Sequence, residues 1–378
     1  MFDKIDLLIA GAGPSGCVIA EQAARKLGWN VLIVEKRDHI AGHCYDRYHE
    51  SGVLIHQFGP HYFRTNNAAL IDYLSQYTGW VPGNYIVKSS TRGEMFPFPI
   101  NLDTLSQFYK RDLNAEDARA LLDAVRARIG DPSNSEEFVL SRVGKDLYEA
   151  FYRGYTLKQW GRDPRDLDPS VCGRIPIRFN RDSRYVDHTY QLTPANGFTA
   201  LFASMIDHPG IHVVLKTDFK DIAKTITPLR ATVYTGPVDQ YFDYRLGALP
   251  WRSLTFDWKT YDAEYVQPCV QINYPNDQAY TRSVEIKHVT RQVHPKTVVS
   301  YEYSCAEGDP YYPVPARENK ALYERYRELA DAERRQNKVY FLGRLANYQY
   351  VNTDEAIESA LHTFEEIRQE CVGSPDIS

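Results

Sequence analysis

The sequence is short of the signals that usually announce a class. Its six cysteines, at positions 17, 44, 172, 269, 305 and 371, include no C-x-x-C pair. That scatter suggests neither a zinc knuckle nor a disulfide framework, and a reduced, cytoplasmic setting is expected. No apolar run reaches the roughly 18 residues of a membrane span. The Met-Phe-Asp-Lys start runs straight into a strand pattern, so neither a membrane segment nor a signal peptide is expected. Basic charge is not in excess either. With 44 Lys and Arg against 49 Asp and Glu, the net charge is −5, which argues against a nucleic-acid binder because phosphate backbones reward broad basic surfaces. An anionic ligand must therefore meet local clusters of arginine. Internal repeats and low-complexity stretches are absent.

What is present is ordinary globular material, 43% hydrophobic and 25% charged over 378 residues. That length exceeds one compact core and points to two or three subdomains. The 28 tyrosines suit sugar and base binding, since each offers an apolar ring with a polar tip, but the same residue also fills cores.

The chain is organised around Ile5 to Arg37, IDLLIAGAGPSGCVIAEQAARKLGWNVLIVEKR. An apolar run to Ala10 enters a turn holding Gly11, Gly13 and Gly16. A helical pattern then carries Val18, Ile19, Ala23 and Leu27, and a second apolar run, Val31 to Val34, stops at Glu35. This is strand, helix, strand. In a G-x-G-x-x-G turn the first glycine allows the tight turn, the second lets backbone approach a pyrophosphate, and the third lets helix and strand pack closely. The pyrophosphate sits on the positive end of the helix, and Glu35 is placed to accept from a ribose 2′-OH. An adenine dinucleotide is expected.

Further along, VLIHQFGPHYFRTN (53–66) alternates into a Gly59-Pro60 turn followed by His61 and Arg64, which taken alone read as a structural histidine and a surface charge. Residues 66–80 read as a helix and 85–99 as a hairpin. From Asn101 to about Trp160 the pattern is helical, with Asn114 as an N-cap, Glu116 and Asp117 in a first turn, and Gly130 with Asp131-Pro132 as the stop. The stretch 162–185 is rich in proline and arginine (Arg174, Arg178, Arg181, Arg184); it reads either as a solvated loop or as one that closes over an anion. IHVVL (211–215) and RATVYTG (230–236) read as strands, as do VQINY, YTRSVEIKHV and KTVVSYEY, whose alternation suggests an antiparallel sheet. A helix over 320–335, a strand over 339–342, a Gly343-Arg344 turn and a closing helix from about Asp354 complete the chain.

Taken together, these segments resemble bacterial UDP-galactopyranose mutases. The match rests on the GAGPSG turn, VEKRDHIAG, FGPHYFRTN, GYTLKQWGR (154–162), RIPIRF (174–179), YTGPVDQYFDYRLGAL (234–249), YTRSVEIKH (280–288), DPYYPV (309–314) and FLGRLANYQY (341–350). The resemblance implies an α/β fold: a Rossmann-like FAD-binding domain from residues 1–80, 196–245 and 335–378, an inserted helical subdomain over 100–165, and an antiparallel-sheet substrate domain with a mobile loop from 81–99, 166–195 and 246–334. It implies reduced FAD used without net redox change, the flavin N5 attacking the anomeric carbon of a nucleotide sugar. Arg174 and Arg282 then steady the departing diphosphate, with His61 and Arg64 near flavin and sugar. Phe151, Tyr155, Trp160 and Asn273 fall in or near the nucleotide pocket, and Tyr185, Tyr311, Tyr312 and Tyr350 at the diphosphate. Gly11, Gly13, Gly16, Glu35, Lys36, Gly42, His61 and Arg344 match the cofactor shell. A homodimer is the family expectation.

The sequence departs from the family pattern in four places. Arg64 stands where a second histidine is usual, Ala41 for a glycine, His43 for an asparagine, and Val351-Asn352 for tyrosine and aspartate. Arginine is larger, always charged and donor-only, and it suits the carbonyl of a 2-acetamido group, which points to UDP-N-acetylgalactosamine beside UDP-galactose. Two other classes compete: a flavin oxidoreductase of the amine-oxidase type, which shares the dinucleotide turn, and a flavin-bound sensor without turnover. Both leave Arg174 and Arg282 without an anion to hold.

Overall fold

The structure, a computed structural model, describes residues 4–173 and 175–372. Its organising layer is a five-stranded parallel sheet in the order Ile211–Val214, Val31–Val34, Leu7–Ala10, Ala231–Tyr234, Val339–Phe341. Four of these strands read as short apolar runs because helices cover both faces of a parallel sheet. The helix Pro14–Leu27 crosses between the first two strands of the chain. It buries Val18, Ile19, Ala20 and Ala23 against Phe198 and Phe202 of the helix Phe198–Ile206 and Ile357 and Phe364 of the helix Thr353–Val372. Arg25 and Lys26 sit in its last turn, where cations suit the helix dipole, before Gly28 closes it in the left-handed region. The sheet thus draws strands from residue 7 to residue 341.

A seven-stranded sheet stands beside it, in the order Tyr312–Pro313, Trp251–Tyr261, Thr297–Cys305, Arg282–Val284, Gln271–Asn273, Val87–Thr91, Glu94–Phe98. It is antiparallel apart from the pair Gln271–Asn273 and Val87–Thr91, which runs parallel. The run YTRSVEIKHV, expected as one strand, leaves the sheet after Val284 and forms a helical turn, Lys287–Thr290. The cause is Lys287. Its ammonium is fully buried and donates to the carbonyls of Glu264, His294 and Lys296, acceptors that only a turned chain brings together.

The expected helix over 66–80 is shorter. Asn67 caps Ala68–Leu74, and Trp80–Pro82 then pairs as a strand with Tyr190–Pro194, which also pairs Phe63–Thr65. In the helical region, Leu102–Tyr109 starts with a capping box from Asn101 and Thr104. Asn114 accepts from the amides of Glu116 and Asp117 at the head of Ala115–Val125. That helix ends at Val125 and not at Gly130, because Arg126 is extended and the Ala127 amide bonds to Leu140 of the next helix. The following run, which reads as continuous helix, breaks at Gly144 (φ 76°), passes through a π-helical turn, Tyr148–Arg153, and resumes as Gly154–Trp160. A Cβ on Gly144 would lie 2.5 Å from the carbonyl oxygen of Val125, so close packing selects the glycine. Among the described residues no helix is long and apolar enough to cross a membrane.

Candidate active site

The strand Leu7–Ala10 delivers the chain into the glycine turn, where three glycines serve different ends. Gly11 has φ +104°, and a Cβ there would lie 2.1 Å from Thr235 Oγ1. A Cβ on Gly16 would lie 2.0 Å from the Gly11 carbonyl oxygen, so this glycine sets the approach of helix to strand. Gly13 differs, since its Cβ would meet only the Gly42 Cα, at 3.8 Å. Nothing in the protein's own packing demands glycine at 13. Gly13 also caps the helix without a side-chain hydrogen bond, leaving first-turn amides for an anion. Buried Glu35 closes the turn, accepting from the amides of Ala12 and Arg37, each at 2.9 Å. The turn therefore fits the pyrophosphate of a dinucleotide.

Beside it opens a cavity of about 1350 Å³. It gathers His61, Arg64, Phe151, Tyr155, Trp160, Tyr185, Asn273, Arg282, Tyr311, Tyr312, Arg344 and Tyr350 from both large sheets and the helical region. Arg282 is held in the wall by Glu302, its partner across paired strands, with Nε donating to Oε2 at 2.6 Å. Glu302 is fully buried. Burial works against the guanidinium's charge, but the Glu302 carboxylate, with Tyr155 and Tyr312, more than offsets it and holds the Arg282 pKa well above its ordinary value. The Nη groups make no hydrogen bond among the described residues and remain for a ligand. Arg344 donates to the carbonyls of Tyr311 (3.3 Å) and Val351 (2.8 Å) and lies 5.6 and 4.9 Å from the ring centres of Tyr312 and Tyr350. Guanidinium over stacked phenols is a pairing that arginine's weak hydration favours.

His61 Nδ1 donates to the Gly59 carbonyl at 3.0 Å, and its backbone amide donates to His56 Nδ1. Burial, with the His56 and Arg344 charges behind it, lowers the His61 pKa to about 3. The ring is therefore neutral, with Nε2 as an acceptor. His43 accepts from Arg37 at 3.1 Å through Nε2 and stacks on Tyr311 at 4.5 Å. Burial and the Arg37 charge push its pKa down as well. Asn273 is oriented by a relay: Tyr85 donates to Gln271 Oε1 (2.8 Å), and Gln271 Nε2 donates to Asn273 Oδ1 (2.7 Å). This leaves the Asn273 Nδ2 as donor.

Some expected site residues stand elsewhere. Gly11, Gly13, Gly16, Glu35, Lys36 and Gly42 lie at the glycine turn and the strand end, not on the cavity wall, and the exposed Lys36 ammonium reaches Asp309 at 3.8 Å. Phe151 touches the cavity but is mostly core, packed on Phe96, Phe98 and Phe108. The arginine-rich stretch is largely neutralised by aspartates: Arg178 pairs with Asp187, Arg181 with Asp103, and Arg184 with Asp182. None of these three lines the cavity. Arg174, the remaining expected cation, lies outside the described residues. Sequence reasoning missed Glu302 and His188. Glu302 sits opposite Arg282 by strand register, and the alternation of the two strands carried that signal. For His188, which lines the cavity, no local signal existed.

Comparison with known proteins agrees with this geometry. The family model for UDP-galactopyranose mutase matches residues 150–350, and that for an NAD(P)-binding Rossmann-like domain matches residues 9–77. A curated protein of Klebsiella pneumoniae, described as a probable UDP-galactopyranose mutase, is 39% identical over 368 residues, covering 96% of this chain and 94% of its own. A dTDP-fucopyranose mutase of Escherichia coli is 35% identical over 366 residues, covering 94% and 96%. The crystal structure of a reduced UDP-galactopyranose mutase shares the fold with a TM-score of 0.76 at 18% identity, covering 99% of this chain and 96% of that one. With the glycine turn, the cavity and the arginine-tyrosine wall in place, the chain belongs to the UDP-galactopyranose mutase family.

Proposed function

We propose that this protein interconverts the pyranose and furanose forms of a nucleotide hexose, with reduced FAD as cofactor and no net redox change. The substrates are UDP-galactose and, through Arg64, UDP-N-acetylgalactosamine. The observation that carries the reading is Arg282, anchored through Nε on buried Glu302 while its Nη groups make no hydrogen bond among the described residues, in one cavity with Arg344, Tyr155, Tyr312 and Tyr350. Ring contraction requires the bond from the anomeric carbon to the diphosphate to break. Negative charge then grows on the phosphate oxygens, and a planar guanidinium fork already in place stabilises it without reorganisation. Arg174 is assigned the same task.

When bound, reduced FAD supplies a nucleophilic nitrogen for the anomeric carbon, which divides one difficult step into easier ones. The residues that would hold it are Gly11, Gly13, Gly16, Gly42 and Glu35 at the dinucleotide, Lys36 beside them, and Arg344 and His61 toward the ring system. Tyr155, Trp160, Phe151 and Asn273 receive the nucleoside; Tyr185, Tyr311, Tyr312 and Tyr350 orient the diphosphate. Neutral His61 offers Nε2 to a sugar hydroxyl. Burial pushes the Tyr155 phenol up to about 12, so it acts as a hydrogen-bond donor and not as a base.

The test is incubation of the purified protein with UDP-galactose and UDP-N-acetylgalactosamine, with and without dithionite. Furanose product that depends on reductant, with no electron acceptor consumed, supports the reading. Oxidised sugar, or no conversion of either compound, overturns it. Arg64→His is expected to move preference toward UDP-galactose; equal preference in both proteins discards the extension to the acetamido sugar.

A further inference from the structure

Resting on the nucleotide-sugar reading of the cavity, we infer that Asn352, fixed by Glu355, determines which sugars Arg64 accepts, so that selectivity resides in a chain of three side chains. Arg64 lies on the strand Phe63–Thr65 and Asn352 immediately precedes the helix Thr353–Val372; both line the cavity. Arg64 Nη2 donates to Asn352 Oδ1 at 2.8 Å, its one side-chain hydrogen bond among the described residues. An amide can present either end. Glu355 decides which, because its Oε2 accepts from both the Asn352 backbone amide (2.6 Å) and Nδ2 (2.9 Å). The nitrogen end is thereby occupied, and the oxygen end faces Arg64.

The consequence is electrostatic. A neutral amide oxygen engages one N–H of the guanidinium and leaves its charge and remaining donors free. A carboxylate at the same place would take two N–H groups as a fork and cancel the charge. Arg64 has no ion pair among the described residues, and its neighbour His188 has Nδ1 buried without a hydrogen-bond partner there. The free fork suits a strong neutral acceptor on the sugar, the carbonyl of an acylamino substituent, more than it suits a hydroxyl. Asn352 is thus a positioning residue that sets how much of Arg64 remains available.

The experiment compares kcat, KM and calorimetric binding for UDP-N-acetylgalactosamine and UDP-galactose. The FAD-loaded protein is used as wild type, Asn352→Asp, Asn352→Ala, Arg64→His and Arg64→His/Asn352→Asp. Each protein is read as a ratio of two substrates, so a general loss of fold or flavin cancels. Asn352→Asp is expected to lower the acetamido-to-galactose ratio of kcat/KM about tenfold, chiefly through KM, as loss of a hydrogen bond to a charged group does. Asn352→Ala, which removes the acceptor without adding charge, lowers it less. In the Arg64→His background, Asn352→Asp is expected to leave the ratio where Arg64→His put it. An unchanged ratio in Asn352→Asp, or the same tenfold fall in both backgrounds, overturns the inference. Should Asn352→Asp not fold, an unchanged ratio in Asn352→Ala does so. If wild type converts neither compound, the nucleotide-sugar reading fails and this inference with it; if it converts both with a ratio indifferent to position 352, the inference fails alone.

Discussion

Replacing Arg282 separates its structural role from its chemical one. Arg282 Nε and Glu302 Oε2 are 2.6 Å apart, Glu302 is fully buried, and its Oε1 has no other hydrogen-bond partner among the described residues. Arg282→Met strands a buried carboxylate, a change that costs about 3–5 kcal/mol when one partner of such a pair is lost. Arg282→Met/Glu302→Leu removes both charges and recovers most of that stability, because two apolar groups need neither a counter-ion nor a hydrogen-bond partner. Turnover behaves differently. The double variant still lacks the cation on the leaving diphosphate and stays down by about 10²- to 10³-fold in kcat, the scale of losing one preorganised donor to a developing charge. Arg282→Lys keeps the charge but offers one ammonium to two tasks, holding Glu302 or meeting the phosphates, and falls in the same range with kcat moving more than KM. Calorimetric melting and initial rates under dithionite read the two effects separately. A double variant that regains turnover along with stability, or an Arg282→Lys enzyme within threefold of wild type, refutes the assignment.

Gly16→Ala drives a Cβ to 2.0 Å from a backbone oxygen, whereas Gly13→Ala meets only one atom at 3.8 Å. The first is expected to lose about 3 kcal/mol or more of stability. The second is expected to melt within about 1 kcal/mol of wild type yet emerge without flavin absorbance; a normally flavinated Gly13→Ala protein would remove that glycine from the cofactor site. His56 is 3% exposed, and burial lowers its pKa from 6.5 to about 3. The unfolded chain therefore takes up this proton as pH falls below 6.5 while the folded chain does not, so stability is lost progressively from there toward pH 3. The loss reaches about 2 kcal/mol by pH 5 from this one ring. His56→Gln is expected to flatten the pH dependence of the melting temperature, and an unaltered slope contradicts the assignment.

The parts legible in the sequence were those whose cause is local. The strand, glycine turn, helix and strand of residues 5–37 announce themselves because the turn is built from near neighbours: Gly11 takes a φ of +104° and Gly16 packs against the Gly11 carbonyl oxygen. Asn114 was readable as a cap because the amides it satisfies are two and three residues away. What stayed hidden depends on distant partners. Gly144 breaks a helix because of Val125 in its neighbour, Lys287 is held by the carbonyls of Glu264, His294 and Lys296, on both sides of it in the chain, and Glu302 matters only through strand register with Arg282. The basic stretch 162–185 reads either as a solvated loop or as one that closes over an anion, and the pairing of Arg178, Arg181 and Arg184 shows only in the fold: Asp182 and Asp187 are near in sequence, but Asp103 arrives from another segment. Arg64 and Asn352 were each visible as departures from the family pattern, and only the fold brings them within 2.8 Å.

The central claim is that the bond between anomeric carbon and diphosphate breaks while guanidinium groups hold the leaving phosphates. It is tested most directly with UDP-galactose carrying heavy oxygen in the bridge from the sugar to phosphorus, incubated with the dithionite-reduced protein. The account predicts that the label scrambles into the non-bridging phosphate positions at least as fast as furanose forms, and that Arg282→Lys slows both together. Ring contraction with the label fixed in the bridge would contradict it.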